Sequence, residues 1–221
     1  MVFSSILFLF RYLPAVLILY FICPNKLKNL LLFIVSLIFY AWGEPKYVVL
    51  MLFSTLVDYV HGLLVAKFKR EGRMKAAKMM VASSAIINLS LLGFFKYSGF
   101  LVENLNSIFG LSIKFEKLPL PIGISFYTFQ TMSYTIDVYR GDAEPQRNII
   151  DFGAYVTLFP QLIAGPIVQY KTVAEQLQHR IHNFDNFAYG VRRFVVGLGK
   201  KVLLANSAGL VWDQVFASDL S

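Results

Sequence analysis

A polar stripe runs along one face of a predicted helix within residues 118–139. Its members follow steps of four, three, four and three, which places them on one helical face: Gly123, Tyr127, Gln130, Tyr134 and Asp137. The opposite face carries apolar side chains and one serine: Ile122, Phe126, Phe129, Ser133 and Ile136. The hydroxyl, amide and carboxyl groups of the stripe could bind water, a polar substrate or a neighbouring polar helix. None of these groups suits a helix face that meets lipid, because a polar group stripped of water costs free energy unless a partner replaces it.

A second polar segment follows at residues 149–170. Its last part reads YVTLFPQLIAGPIVQY and places Gln161 directly after Pro160, close to a Gly-Pro pair. Proline interrupts the backbone hydrogen-bond ladder, and such backbone is tolerated at membrane depth only inside protein or beside a wet cavity. The two segments therefore predict a cavity lined by Tyr127, Gln130, Tyr134, Asp137 and Gln161. The alternative, in which the stripe only fastens helix to helix, stays open.

Other ionisable residues give weaker signals. Asp58 and His61 lie three residues apart, which favours a hydrogen bond at a helix interface over a proton relay. Asp137 and Arg140 have the same spacing, which suits either an ion pair or a substrate contact. His179 and His182 fall in the polar segment EQLQHRIHN and are predicted at the surface.

Several chemistries find no support in the sequence. No third ligand accompanies the two downstream histidines, so no metal site is predicted. There is no G-x-S-x-G motif, and the single Cys23 excludes an internal disulfide. No nucleophile is therefore assigned.

Composition places the chain in a membrane. Of its 221 residues 57% are hydrophobic and 15% are charged, and the mean hydropathy is +0.58. Soluble domains carry about 25% charged residues. The net charge of +8 does not indicate nucleic-acid binding, because the basic residues concentrate in short loops beside apolar spans. The predicted fold class is all-α, a polytopic transmembrane bundle.

The predicted elements form a single integral membrane domain over residues 1–221. Spans are predicted at about 5–23, 27–42, 46–66, 79–97 and 118–139, with residues 5–23 retained as the first span rather than cleaved as a signal. Residues 149–170 are predicted as a re-entrant element, with a broken full span as the alternative. An amphipathic link at 98–117 joins the fourth span to the fifth.

The orientation follows from the basic loop at residues 67–78, KFKREGRMKAAK, which holds six basic residues and one acid. Loops of this kind stay in the cytoplasm. Counting spans from it places the amino terminus and the link outside, and residues 140–148 inside. The predicted location is a bacterial inner membrane.

The last helical pattern covers about residues 184–205. Its apolar side chains recur at helical spacing, and Arg192, Arg193, Lys200 and Lys201 supply a basic counterpart. We expect a helix that lies in the membrane interface, with these cations toward lipid headgroups or the phosphates of a coenzyme donor. Membrane lipids are thus predicted partners.

Five blocks of this sequence, in order, resemble the membrane-bound O-acyltransferase family, especially its alginate O-acetyltransferase branch. They are VFSSILFLFRYLP, LLFIVSLIFYAWGEPKYVVLMLFSTLVDY, PLPIGISFYTFQTMSYTIDVYRG, YVTLFPQLIAGPIVQY and GVRRFVVGLGKKVLLAN. Single FP or GP dipeptides are weak signals, but five ordered blocks that span nearly the whole chain are a strong one.

The resemblance implies an enzyme that moves an acyl group from a cytoplasmic thioester, such as acetyl-CoA, to a hydroxyl of an extracytoplasmic polysaccharide such as alginate. No bound cofactor is implied, and other polysaccharide-acetylation proteins are expected partners. The family's essential histidine belongs downstream of GLGKKVLLAN, and His61, His179 and His182 do not match it. We therefore assign no catalytic residue and expect an N-terminal part of a longer protein, inactive alone. A non-enzymatic transport or assembly subunit is the alternative.

Overall fold

The computed structural model describes residues 3–115, 119–162, 166–180 and 182–218, and every regular element among them is helical. The α-helices are α1 Leu13–Ile22, α2 Lys28–Gly43, α3 Val48–Arg70, α4 Met74–Phe109, α5 Ile124–Arg140, α6 Ile149–Thr157, α7 Phe159–Leu162, α8 Tyr170–Gln178, α9 Phe184–Gly199 and α10 Asn206–Ser218. Two π-helical segments, Phe8–Tyr12 and Lys200–Ala205, and two short 3₁₀ turns, Asn25–Leu27 and Pro45–Tyr47, complete the order.

Four helical stretches of the described residues are long and apolar enough to cross a membrane: Asn25–Gly43, Pro45–Arg70, Met74–Phe109 and Phe184–Phe216. Phe8–Ile22 is a shorter apolar stretch. The prediction of an all-α polytopic membrane protein is confirmed.

The chain divides into two compact units, one comprising Tyr20–Gln178 and the other joining Met1–Leu19 to His179–Ser221. In the larger unit α3 packs against both α4 and α5, α4 packs against α5, and α2 packs against α6. With 17 residues, α5 is only about 25 Å long, less than the roughly 30 Å of a hydrocarbon core. One face of α5 is buried against protein, and its buried side chains include most of the predicted polar stripe.

Helix ends in this unit are set by backbone chemistry rather than by hydropathy. Gly123 and Gly141 flank α5 with φ of +77° and +88°, a left-handed conformation that glycine adopts without steric cost. The predicted span 118–139 therefore begins as helix only at Ile124, after two prolines and Gly123, and Gly123 is a cap rather than a member of the helical face. Similarly, α4 runs from Met74 to Phe109, well beyond the predicted 79–97, and takes in the first half of the link.

The segment predicted to be broken is interrupted at Leu158. Asn148 caps the start of α6, since its side-chain oxygen accepts from Ile150 N at 2.9 Å. The short helix α7 follows the break, and residues 167–169 have no regular structure before α8 begins. Residues 163–165 of the predicted element lie outside the described residues. Re-entry of 149–170, as opposed to a broken full span, stays a prediction.

In the smaller unit, α9, the π-helical segment and α10 follow one another without a break. The helical run extends past the predicted end at 205, and Phe184–Phe216 has 33 residues, enough to span a bilayer. The interfacial orientation of residues 184–205 stays a prediction.

Candidate functional site

The polar stripe of α5 is turned into the protein. Tyr127 and Tyr134 are 0% exposed, Gln130 is 3% exposed and Asp137 is 6% exposed, whereas Phe129 on the opposite face is 43% exposed. The helical periodicity thus orients α5 with its polar side inward. The stripe lies among packed side chains, and its role in lining a cavity stays a prediction.

Gln130 and Gln161 meet at one backbone oxygen. Gln130 Nε2 donates to Tyr155 O at 3.0 Å, and Gln161 Nε2 donates to the same oxygen at 2.6 Å. The break after α6 makes that oxygen available, because Phe159 N, its partner in a continuous helix, donates instead to Ser36 Oγ at 3.2 Å. Gln130 and Gln161 are 31 positions apart in the sequence. The fold brings these two predicted site residues together at a backbone oxygen that the interrupted helix leaves without its usual donor.

Tyr134 occupies the centre of an aromatic cluster. Its ring centroid lies 4.5 Å from that of Phe152 and 5.0 Å from that of Tyr170. Its hydroxyl accepts from Gln146 N at 2.9 Å, and Gln146 Nε2 donates to Tyr170 Oη at 3.0 Å. Gly62 of α3 allows this position, since a Cβ there would stand 2.6 Å from Tyr134 Cε1. The cluster ties α3, α5, α6 and α8 together.

Two stripe members keep unused hydrogen-bonding capacity within the described structure. Tyr127 Oη and Asp137 Oδ2 are buried without a hydrogen-bond partner. Of the two roles that suit the spacing of Asp137 and Arg140, the ion pair is not formed within the described residues, where Arg73 pairs with Glu71, and a substrate contact stays a prediction. Arg140 is exposed at the end of α5. Keeping its guanidinium group in water costs less free energy than removing that group from water to pair with a buried carboxylate.

A second polar cluster lies where α3, α4 and α5 meet. The sequence did not predict which residues surround Asp58 there. Asp58 is 0% exposed and accepts from Ser84 Oγ, from Asn88 Nδ2 at 2.8 Å and from Thr135 Oγ1 at 3.1 Å. The carboxyl group thus receives a donor from each of the two helices that pack on α3. A signal was present in the sequence, because Ser84 and Asn88 are four residues apart on α4 and therefore share a face.

Asp58 and His61 both form hydrogen bonds across the interface between α3 and α4, as their spacing predicts, but they do not bond to each other. His61 Nδ1 lies 2.7 Å from Val57 O and must donate to it, since a carbonyl oxygen only accepts. His61 Nε2 then accepts from Ser83 Oγ at 3.2 Å. The two side chains bond to consecutive serines of α4, His61 to Ser83 and Asp58 to Ser84.

The basic residues of the smaller unit are spread along its helix. Arg192 and Lys200 are exposed. Arg193 donates to Tyr189 Oη at 3.2 Å and lies over that ring, and Lys201 donates to Ser4 Oγ at 3.2 Å. His179 and His182 are exposed, as their polar segment predicts. Contact of the four cations with headgroups or donor phosphates stays a prediction.

Several known proteins are similar to this chain. A family model described as the membrane-bound O-acyltransferase family matches residues 142–209. A probable alginate O-acetylase of Pseudomonas aeruginosa is 43% identical over 221 residues, covering 98% of this chain and 42% of the relative. Its counterpart in Azotobacter vinelandii is 42% identical, with 98% and 44% covered. A peptidoglycan O-acetyltransferase of Helicobacter pylori is 31% identical over 248 residues, with 98% and 46% covered.

The chain therefore spans less than half the length of the curated relatives that it matches. No solved structure was found to match it.

The long apolar helices and the polar clusters buried between them define a polytopic helical membrane protein. The similarity along almost the entire chain and the family model point to one family more closely. Residues 142–209 match the membrane-bound O-acyltransferase family, and 98% of the chain is similar to probable alginate O-acetylases.

Proposed function

We propose that the protein containing this chain is an O-acyltransferase that acetylates a polysaccharide on the outer side of a bacterial inner membrane. The observation that carries this proposal is the 40–44% identity to probable alginate O-acetylases over 98% of the chain. The peptidoglycan O-acetyltransferase is less similar, at 31% identity, which favours an alginate-like acceptor. The acyl donor is a thioester such as acetyl-CoA, and other polysaccharide-acetylation proteins act with it.

The part of the enzyme formed by this chain is the wall between donor and acceptor sides. Gln130 and Gln161 hold the interrupted α6–α7 backbone in place, and Tyr127 and Asp137 retain polar atoms that could bind a substrate or water. An interrupted helix whose freed backbone groups bond to neighbouring side chains, as Tyr155 O and Phe159 N do here, can border a polar path without exposing those groups to lipid. These residues bind and orient; none is assigned as the catalytic base.

The test uses the full-length protein and two substitutions on α5. Gln130→Leu removes a donor to Tyr155 O, and Tyr134→Phe removes the acceptor for Gln146 N. Both variants should release less acetate from the isolated polysaccharide on mild alkaline treatment, while the amount of protein in the membrane stays the same. Phe129→Leu, on the exposed face of the same helix, is the matched control and should acetylate normally. Undiminished acetylation in both α5 variants would contradict the proposed role.

A further inference from the structure

A cavity of 410 Å³ lies between the C-terminal end of α3 and residues 141–147, which join α5 to α6. Its apolar floor includes Ala66 and Val138, and its polar wall is formed by Lys69, Arg70, Glu144 and Arg147. The volume falls within the roughly 300–1,000 Å³ typical of sites for small molecules. Neither the polar stripe of α5 nor the Asp58 cluster belongs to this cavity.

Hydrogen bonds at the end of α5 and from two residues of α3 hold the wall of this cavity. Gly141 N and Asp142 N both donate to Asp137 O, at 3.0 Å and 2.9 Å, and close the end of α5. Lys69 Nζ donates to Val138 O at 3.1 Å, and Tyr59 Oη donates to Arg147 O at 2.5 Å. Because the loop is already held in place, little conformational entropy would be lost when a ligand binds.

The charge of the wall is strongly positive, with three cations and one carboxylate. Within the described residues none of Lys69, Arg70 and Arg147 forms an ion pair, since the pair found there joins Arg73 to Glu71. Lys69 is half-buried beside the apolar floor, whereas Arg70 and Arg147 are exposed at the mouth. Guanidinium groups in such a position offer paired N–H donors that match the oxygens of a phosphate.

We propose that this cavity binds the phosphate of a ligand that approaches from the membrane face carrying the basic loop 67–78. Given the proposed function, on which this assignment of the ligand rests, that ligand is the phosphate-bearing portion of the thioester donor. An anionic lipid headgroup supplies the same phosphate chemistry from a different source. Arg70 and Arg147 contact the phosphate. The positive charge of Lys69 strengthens binding, and the negative charge of Glu144 weakens it.

The smaller unit offers a less suitable phosphate site. Arg193 is already bonded to Tyr189, and Lys201 to Ser4, while Arg192 and Lys200 are exposed side chains of a helix surface. Exposed lysines and arginines without a shaped cavity contribute attraction that salt readily screens. The cavity near Arg147 combines charge with shape.

The experiment measures binding of coenzyme A by calorimetry to the full-length protein in nanodiscs of neutral phosphatidylcholine. In the double variant Arg70→Gln/Arg147→Gln the Kd should rise by about tenfold to a hundredfold, because charge-assisted hydrogen bonds are lost. Lys75→Gln/Lys78→Gln removes two charges from the same basic loop outside the cavity, and its Kd should change by less than about twofold. Glu144→Gln should bind more tightly than the wild type, a gain that misfolding cannot produce.

A second arm distinguishes the source of the phosphate. The same variants are placed in nanodiscs with phosphatidylglycerol, and retained lipid is counted by native mass spectrometry. Loss of phosphatidylglycerol from the Arg70/Arg147 variant alone, with no change for coenzyme A, would support the cavity as a headgroup site. Unchanged binding of both probes, or an equal loss in the Lys75/Lys78 control, would overturn the inference.

The proposed function is tested separately, by acetate release. Acetylation of polysaccharide with unaltered coenzyme A affinity in the Arg70/Arg147 variant would contradict the donor assignment alone. Selective loss of coenzyme A binding in a protein that acetylates no polysaccharide would contradict only the proposed function.

Discussion

Gln130 of α5 and Gln161 of α7 donate to the same acceptor, Tyr155 O, which precedes the break at Leu158. In a continuous helix Phe159 N would donate to Tyr155 O, but here it donates to Ser36 Oγ. The two glutamines supply the donors that Tyr155 O would otherwise lack. A carbonyl oxygen has two lone pairs, so both bonds can form together. This shared acceptor joins the polar face of α5 to the interrupted segment beyond α6.

The shared acceptor predicts non-additive losses of stability. Gln130→Leu or Gln161→Leu alone should each lower the free energy of unfolding by about 1 kcal/mol, because Tyr155 O keeps one partner. The double variant should lose more than the sum of the two, since the oxygen is then buried without a donor. Unfolding in detergent as SDS is added measures all three. Gln178→Leu, at an exposed position of α8, is the control, and strict additivity would contradict the shared-acceptor interpretation.

The Asp58 cluster predicts a hierarchy among its members. Asp58→Leu removes the acceptor that three buried donors share, although Asn88 Nδ2 and Thr135 Oγ1 keep bonds to Ser84 O and Thr131 O. It should be the most damaging substitution, by roughly 1–3 kcal/mol for each donor left unsatisfied. Ser84→Ala removes one donor and should cost about 1 kcal/mol. Ser90→Ala lies on the exposed face of the same helix and should be neutral. Thermal unfolding in detergent gives the order, and equal melting temperatures for Asp58→Leu and Ser90→Ala would refute it.

The two clusters also show which parts of the site the sequence can predict. Helical periodicity is a property of one segment, so the inward face of α5 could be predicted from Tyr127, Gln130 and Tyr134 alone. The partners of Asp58 depend on which helices pack together, and that is decided by contacts between segments far apart in the chain. The nearby His61 therefore looked like a partner although Ser84 and Asn88 are the true ones.

Close approaches between helices are equally invisible in the sequence. Gly62 is one of several glycines in the apolar spans, and nothing in its neighbourhood in the chain marks it as the residue that faces the Tyr134 ring. The cavity beside Arg147 has the same origin. Lys69 Nζ reaches Val138 O in the last turn of α5, so the cavity lies between residues that are 69 positions apart in the sequence.

Gly62 and Gly93 predict opposite effects of the same substitution. Gly62→Ala places a Cβ against the Tyr134 ring and should lower the free energy of unfolding by about 1–3 kcal/mol. Gly93→Ala meets no atom within 4 Å and should be neutral or stabilising by up to about 1 kcal/mol, since alanine favours the helix. Thermal unfolding of the two variants in the same detergent checks both signs. A Gly62→Ala variant as stable as Gly93→Ala would contradict the packing between α3 and α5.

The predicted orientation can be tested by labelling single cysteines. In a Cys23→Ala background, Gly72→Cys and Glu144→Cys should resist a membrane-impermeant maleimide in intact cells, because both positions are predicted to face the cytoplasm. Leu111→Cys should react, because the link after α4 is predicted outside. All three positions are exposed in this chain, so access depends on the side of the membrane. Reaction at position 72 and protection at position 111 would reverse the proposed orientation.

The helical run from α9 to α10 offers the sharpest test of topology, because two orientations make different predictions for the same pair of positions. If the run lies in the interface, Asn183→Cys and Asp213→Cys remain on one side, and both are protected from the impermeant maleimide until the membrane is permeabilised. If the run crosses the bilayer, as its 33 apolar-rich residues would permit, the two positions react oppositely. We expect matched protection, because Arg192, Arg193, Lys200 and Lys201 fall in the middle of the run. Burying four cations in hydrocarbon would cost about 2.5–3.5 kcal/mol each on insertion scales, whereas an interfacial helix keeps them beside headgroups.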